Sequence, residues 1–420
     1  MGYLFISSKE EMDMLHAISD RLEALFPEMV QLRREFHAEP ELSYEEVHTP
    51  KKIAEYLQNI DLTVRTQVGG RGVVATLVGE QPGKTVALRA DFDALPIQEE
   101  TGLPFASKYP GKMHACGHDG HTATLLVLAK ALAERKEELV GTIVFIFQFA
   151  EELAPGGAIA MIEDGCLEGV DMIFGTHLWT PIEVGKVGFS YDRLMAAADR
   201  FEIKINGSGG HGAMPHQTVD AVVVGSAVSL ALQQVVSRNV DPLEPAVVTV
   251  ASFHAGGAFN VVSDVAQLEG TARTFSTAVQ DQVIKRMEEV IKGVCEAYGA
   301  TYEFTYIKGY PAVVNHRIQT EWLTQAAEGL KDAAKMVEVA PVMGGEDFSY
   351  YLQKVPGAFF FTGAGNENEA AIYPHHHPKF TIDEKAMLIA ANHLGAAALY
   401  ALSQLNETSS AVKSASSNES

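Results

Sequence analysis

Residues 114–121, HACGHDGH, place three histidines, a cysteine and an aspartate within eight positions of a chain that has only three cysteines. Imidazole and thiolate are the side chains that divalent transition metals prefer. On extended backbone Cys116 and His118 would project from one face, whereas on a helix they would diverge by about 200°. A helix starting at Asp119 or Gly120 would leave Cys116 just before an N-terminus, where the helix dipole favours thiolate over thiol. Three fates stay open for Cys116: a buried packing residue, a structural zinc ligand, or a ligand at a catalytic metal. The absence of any CxxC pair counts against a zinc-finger arrangement.

Other segments carry chemistry of the same kind. In FQFAEE, Glu151 and Glu152 follow a continuous apolar run, the position where ligands collect in open α/β sheets. Neighbouring side chains on extended backbone point opposite ways, so one carboxylate could bind metal while the other faces a cleft. The alternative is a pair of solvated acids opening a loop. His177 in GTHLW follows another short apolar strand, where a lone histidine can equally be a packed residue. Asp91 and Asp93 in LRADFDALP share one face of a strand end, or cap the turn that follows. His375, His376 and His377 lie together in a late loop, and His211 and His216 sit in the glycine-rich GSGGHGAMPH, where backbone could approach a ligand closely.

These residues need elements to hold them. Helical spacing marks the N-terminal run up to a Pro-bounded turn, and DGHTATLLVLAKALAERKEEL reads as a helix with Asp119 as its N-cap and a charged far face. GVVATLVGE and KTVALRAD read as short strands, and GTIVFIFQFA as a strand buried on both faces. Strand, helix, strand in this order argues for an α/β domain with a mostly parallel central sheet. From about residue 193 the order becomes β-α-β-β-α-β, the split ferredoxin-like unit, which reads as an inserted α+β domain. The expected layout is therefore a catalytic domain over residues 1–192 and 309–404, an insertion over 193–308, and a Ser-rich disordered tail over 405–420.

Composition excludes several functions. With 54 acidic against 32 basic residues the net charge is −22, which repels a phosphate backbone, so no nucleic-acid partner is expected. No segment reads as a bilayer span or a signal peptide, so no membrane partner and a cytoplasmic location are expected. Three scattered cysteines make no disulfide framework.

The ordered set RADFDALP, HACGHDGHTA, FQFAEE, GTHLW, GGHGAMPH, GGEDFSYY and HHP resembles the M20 metallopeptidase family, in its aminoacylase, hippurate hydrolase and auxin-conjugate amidohydrolase branch. The resemblance runs from about residue 30 to residue 400. It implies two divalent metal ions per subunit, held by Cys116, His118, Glu152, His177 and His376, with Glu151 as general base. His376 is chosen over its neighbours because it lies two positions before Pro378. Asp93 would steady a ligand. Other branches carry a histidine where this chain has Asp91 and an aspartate where it has Cys116, so their ligand sets do not transfer. The inserted domain would be a lid and dimer interface, giving a homodimer or homotetramer. In it His211 would stabilise the oxyanion, and Asn260 and Arg273 would grip a substrate carboxylate. A mixed thiolate, imidazole and carboxylate set suits zinc and admits manganese, cobalt or nickel. The implied reaction is hydrolysis of an N-acyl-L-amino acid; a dipeptidase or carboxypeptidase on the same metals, or a metal-stabilised binding protein without turnover, are the alternatives.

Overall fold

A computed structural model of the protein describes residues 9–417. The chain divides into two compact units, the first of residues up to Leu194, Val314–Ala340 and from Asp347 onwards, the second of Met195–Val313 and Pro341–Glu346. The second unit thus takes in a short returning segment that local patterns do not reveal. Backbone bonds secure it there: Ala196 N donates to Val342 O at 3.1 Å and to Gly344 O at 3.0 Å.

In chain order the first unit has helices α1 (Lys9–Ala38) and α2 (His48–Asn59), strands β1 (Thr63–Val68), β2 (Gly72–Val78) and β3 (Gln81–Asp91), and helix α3 (His118–Ala133). Strand β4 (Val140–Gln148), helix α4 (Gly157–Glu163) and strands β5 (Met172–Glu183) and β6 (Lys186–Phe189) follow. The second unit contributes β7 (Ala197–Asn206), β8 (Gly210–His211), α5 (Ala221–Gln234), β9 (Ala246–Ala255), β10 (Val261–Val262), β11 (Val265–Thr274), α6 (Thr277–Tyr298) and β12 (Thr301–Tyr310). The chain then completes the first unit with α7 (Arg317–Glu328), β13 (Lys335–Glu338), β14 (Gly357–Gly365) and α8 (Lys385–Ser417).

The first unit's sheet has the order β1-β2-β4-β3-β5-β14-β6-β13. It is mixed. The four central strands β4, β3, β5 and β14 run parallel, while β1/β2, β2/β4 and β14/β6 are antiparallel pairs. The central strands carry near-continuous apolar runs because helices cover them: every residue of α3 except Lys130 and the terminal Ala133 is buried, and α3 packs on α1, α8 and the sheet. The expected charged far face of α3 is therefore corrected. The helix ends at Ala133, and the charged ERKEE segment forms the turn beyond it. Parallel register sets Asp91 beside Gln148 and Arg89 beside Gly175, which brings the ends of β3 and β4 level with His177 on β5.

Asp119 does not cap α3 as expected. Gly117 takes that place with φ +94°, and Asp119 turns inward to a buried ion cluster. Its Oδ2 accepts from Arg33 Nε at 3.0 Å and lies 2.8 Å from His37 Nδ1, both on α1. Burial alone would raise the Asp119 carboxyl, but Arg33 and His37 outweigh it and hold it far below the carboxylate range.

The second unit has the sheet order β9-β11-β7-β12, all antiparallel, with α5 and α6 supplying one core with the inner faces. Asp220 caps α5 through Val222 N at 2.9 Å, Ser276 caps α6 through Val279 N, and Gly299 (φ +75°) closes α6. Two helical stretches, Ala221–Asn239 and Lys385–Thr408, have the length and apolar composition of a membrane span, contrary to the expectation that no segment would. The second is mostly buried as a core helix of its unit, whereas α5 leaves Val222, Val223 and Leu230 exposed. Helix α8 runs on through 405–417, over most of the segment expected to be a disordered tail; residues 418–420 lie outside the described residues. Elongating an anchored helix avoids the nucleation cost, and its Ala and Ser residues do not forbid it.

Replacing Asp119 by Ala should leave Arg33 with Glu384 and His37 with Glu99 as their remaining charged partners and cost about 1–3 kcal/mol. Urea unfolding in the presence of chelator measures this, and a loss under about 1 kcal/mol would contradict an α1–α3 junction held by these charges.

Candidate metal centre

Cys116, His118, Glu151, Glu152, His177 and His376 come together at the carboxyl end of the parallel strands. Three clusters overlap, each with ligand-type atoms within 4.8 Å of one another: Cys116, His118 and His177; Cys116, Glu152 and His376; and His118, Glu151 and Glu152. Cys116 and His118 are not on extended backbone. The left-handed Gly117 turns the chain between them, so that both reach one place at the start of α3.

The surroundings fix which nitrogen each histidine offers. His118 Nδ1 faces Asp93 O at 3.0 Å and Asp93 Oδ1 at 3.2 Å, two acceptors, so it carries the proton. Its Nε2 is buried with no hydrogen-bond partner, 3.8 Å from Glu152 Oε1, which is itself buried and unpartnered. His177 Nδ1 donates to Leu178 O at 2.9 Å, which leaves Nε2 bare at 3.4 Å from Cys116 Sγ. His376 Nε2 lies 3.3 Å from Glu152 Oε2. Two orphaned polar atoms inside a ring of thiol, imidazole and carboxylate groups fit a divalent cation, since a buried polar atom left unpaired is costly.

The other two late histidines are committed elsewhere. His375 Nε2 donates to Leu178 O at 3.0 Å and stacks on Trp179, while His377 Nδ1 accepts from Lys379 N and stacks on Tyr373. His376 is held in the left-handed region at φ +66°, with its N–H on Ala115 O at 2.8 Å. Ala150, directly before Glu151, is likewise at φ +51°; its N–H donates to Glu46 Oε1 and its carbonyl accepts from Gly157 N. Both positions bear backbone strain that these bonds sustain.

Further layers surround the cluster. Asp93 Oδ2 accepts from Ser43 Oγ at 2.7 Å and Glu152 N at 2.9 Å, besides bracing His118. Arg89, fully buried in β3, binds Asp91 at 2.6 Å, Asp347 at 2.8 Å and Gln148 at 3.0 Å. Sequence reasoning missed Arg89, Glu46, His37 and the role of His121. An arginine inside the apolar run KTVALRAD was the signal for the first, because a charge there needs buried partners.

Without a cation the electrostatics oppose ligation. Burial, then the Glu152 and Glu151 carboxylates, push the Cys116 thiol well above its usual value, which corrects the expectation that the helix start would yield a thiolate. Burial lowers His118, but Asp91, Asp93 and Glu152 outweigh it and raise its pKa to about 10. His177 is pushed well below its usual value by burial and by His121 and His375, so it is already neutral.

The second unit holds the remaining candidates. His211 on β8 is exposed and its Nδ1 accepts from Ala213 N at 3.1 Å, so Nε2 carries the proton. Asn260 is exposed beside it, with its carbonyl accepting from Gly212 N at 2.8 Å and β10 pairing with β8. Arg273 is spent locally on Met343 O, Ala272 O and Thr271 Oγ1.

Residues 87–400 match the model of peptidase family M20/M25/M40. The chain belongs to this family. YhaA of Bacillus subtilis (strain 168) is 54% identical over 382 residues, 91% of this chain and 96% of its own length. The N-acyl-L-amino acid amidohydrolase of Geobacillus stearothermophilus is 50% identical over 289 residues, 69% of this chain and 78% of its own. The crystal structure of the Bacillus subtilis YXEP protein, described as a dinuclear metal binding peptidase of the M20 family, superimposes with a TM-score of 0.79 at 37% identity, covering 90% of this chain and 99% of that one. This M20 chain is a metal-dependent hydrolase acting on amide bonds.

Since a metal needs His118 neutral at Nε2 and Cys116 as thiolate, binding at neutral pH should release protons, and affinity should rise with pH through about 10, where His118 loses its proton unaided, and further while the raised Cys116 thiol keeps its own. Calorimetric titration with zinc in buffers of different ionisation enthalpy measures the release; an apparent enthalpy independent of buffer would contradict these protonation states.

Proposed function

We propose that this M20 enzyme hydrolyses the amide bond of N-acyl-L-amino acids, with acyl groups such as acetyl or benzoyl, to a carboxylate and a free amino acid. The observation that carries the reading is the adjacent pair Glu151 and Glu152, whose carboxylates share a cluster with His118. Cys116, His118, Glu152, His177 and His376 would hold two divalent ions, zinc or manganese, with cobalt or nickel compatible with the same donors. When bound, such a pair lowers the pKa of water and polarises a carbonyl oxygen.

Glu151 serves as general base: it takes the proton of the attacking water and returns it to the amide nitrogen, which leaves as an amine. Its neighbour Glu152 is kept for ligation, because Asp93 fixes the Glu152 backbone. His211, with its proton on Nε2, is the donor for the tetrahedral oxyanion. Asn260, on the same small ribbon, binds the substrate carboxylate. The N-acyl-L-amino acid amidohydrolase of Geobacillus stearothermophilus supports this substrate class. A dipeptidase or carboxypeptidase is the second reading, favoured by the description of the YXEP protein as a peptidase.

The partner is a second copy of the chain, forming a homodimer or a homotetramer through the second unit. Exposed Val222, Val223 and Leu230 on α5 and Phe253 on the edge strand β9 are the support for that reading. Three unpaired, buried cysteines suit the cytoplasm.

Glu151→Gln should retain bound metal by elemental analysis and lose about 10²- to 10⁴-fold in kcat on N-acetyl and N-benzoyl amino acids. Unchanged turnover would remove the base, and faster turnover of dipeptides by the wild type would favour the second reading. Leu230→Glu should reduce the assembly mass in sedimentation analysis; an unaltered mass would place the contact elsewhere.

A further inference from the structure

We infer that His121 and His375 are positioning residues that act on one residue, Leu178, to aim the ligand histidines His177 and His376. The inference rests on the metal reading above and goes beyond its five ligands.

His121 looks at first like a ligand, since it clusters with Asp91 and His118. Both its nitrogens are spent. Nε2 accepts from Leu178 N at 2.9 Å, which requires a bare lone pair there, and Nδ1 therefore carries the proton and donates to Asp91 Oδ1 at 2.6 Å. Asp91 is in turn fixed by Arg89, which also binds Asp347, so the chain of contacts begins in a buried ion cluster that cannot reorganise cheaply.

On the carbonyl side of the same residue, Leu178 O accepts two hydrogen bonds, from His177 Nδ1 at 2.9 Å and from His375 Nε2 at 3.0 Å. A carbonyl oxygen has two lone pairs, so this one is saturated. The first bond sets the tautomer and ring plane of His177, leaving Nε2 toward Cys116. The second anchors His375, whose ring is also stacked on Trp179 at 4.4 Å, and so fixes the start of the left-handed turn that presents His376 to Glu152. The Leu178 side chain closes the arrangement: a Cβ on Gly120 would come within 2.6 Å of its Cδ1, so the first turn of α3 lies directly against it. Two ligand histidines far apart in sequence thus take their aim from one residue, Leu178, gripped at its N–H, its carbonyl and its side chain.

The test uses the full chain stripped of metal and titrated with cobalt(II) against a competing chelator, following the thiolate-to-cobalt charge-transfer band. His121→Phe keeps a ring and removes both hydrogen bonds. His121→Gln can still accept from Leu178 N. His375→Phe keeps the stack on Trp179 and removes one bond. Loss of such supporting contacts typically weakens metal binding by about 10- to 100-fold. That loss is expected for His121→Phe, with recovery of most of it in His121→Gln, a smaller loss in His375→Phe, and a shifted band in both phenylalanine variants. Circular dichroism of the metal-free proteins reads folding separately, and if His121→Phe does not fold, His121→Gln and His375→Phe still decide. Folded variants that bind cobalt as tightly as the wild type, with the same band, would overturn the inference alone. A wild type that shows no thiolate band would overturn the metal reading beneath it.

Discussion

At the start of α3 a set of buried polar groups cannot satisfy one another. His118 Nε2 and Glu152 Oε1 are both buried and unpartnered, with Cys116, Glu151 and His177 around them. Carboxylates drive the thiol and His118 towards their protonated forms, and yet no pairing within the protein uses every donor and acceptor. A group with charge of the opposite sign resolves both problems at once, because it replaces the protons and meets the orphaned lone pairs. The cluster costs folding energy for the sake of ligation, a cost that the cores around α3 and the central strands offset.

That cost explains the depth of the support. Asp93 braces His118 and fixes the backbone of Glu152, while Glu46 and Gly157 hold the strained Ala150 between them. Arg89 ties the end of β3 to Asp347 and Gln148, so that segments distant in sequence share one charge cluster. His118 and His177 therefore each have their tautomer set by a neighbour, which would limit the reorganisation needed when a cation binds. The second unit is built differently. Its ferredoxin-like core is closed by α5 and α6, and it carries its candidate groups, His211 and Asn260, on an exposed two-stranded ribbon.

Much of the site was legible because metal chemistry uses few residue types at characteristic places. Cys116 and His118 stood out by type, and Glu152 and His177 by their position after apolar runs, since open α/β sheets gather ligands at strand ends. The βαββαβ order of the second unit was readable from alternating apolar periods, which burial on one face imposes. By contrast, nothing local gave His121 a role, and nothing foretold that Asp119 would turn inward to Arg33 and His37 rather than cap a helix. The sheet order, in which β4 lies between β2 and β3, also depends on pairings between distant segments.

Residue type, spacing and period along the chain were enough to establish the kinds of donor available, the α/β and ferredoxin-like classes, the family and the choice of His376 among the three late histidines. Which histidine nitrogen carries each proton, and which charged residues serve as support, was settled by the folded arrangement alone. Those outcomes depend on what lies across from each atom in space, and a side chain's partner is set by packing between segments tens to hundreds of residues apart.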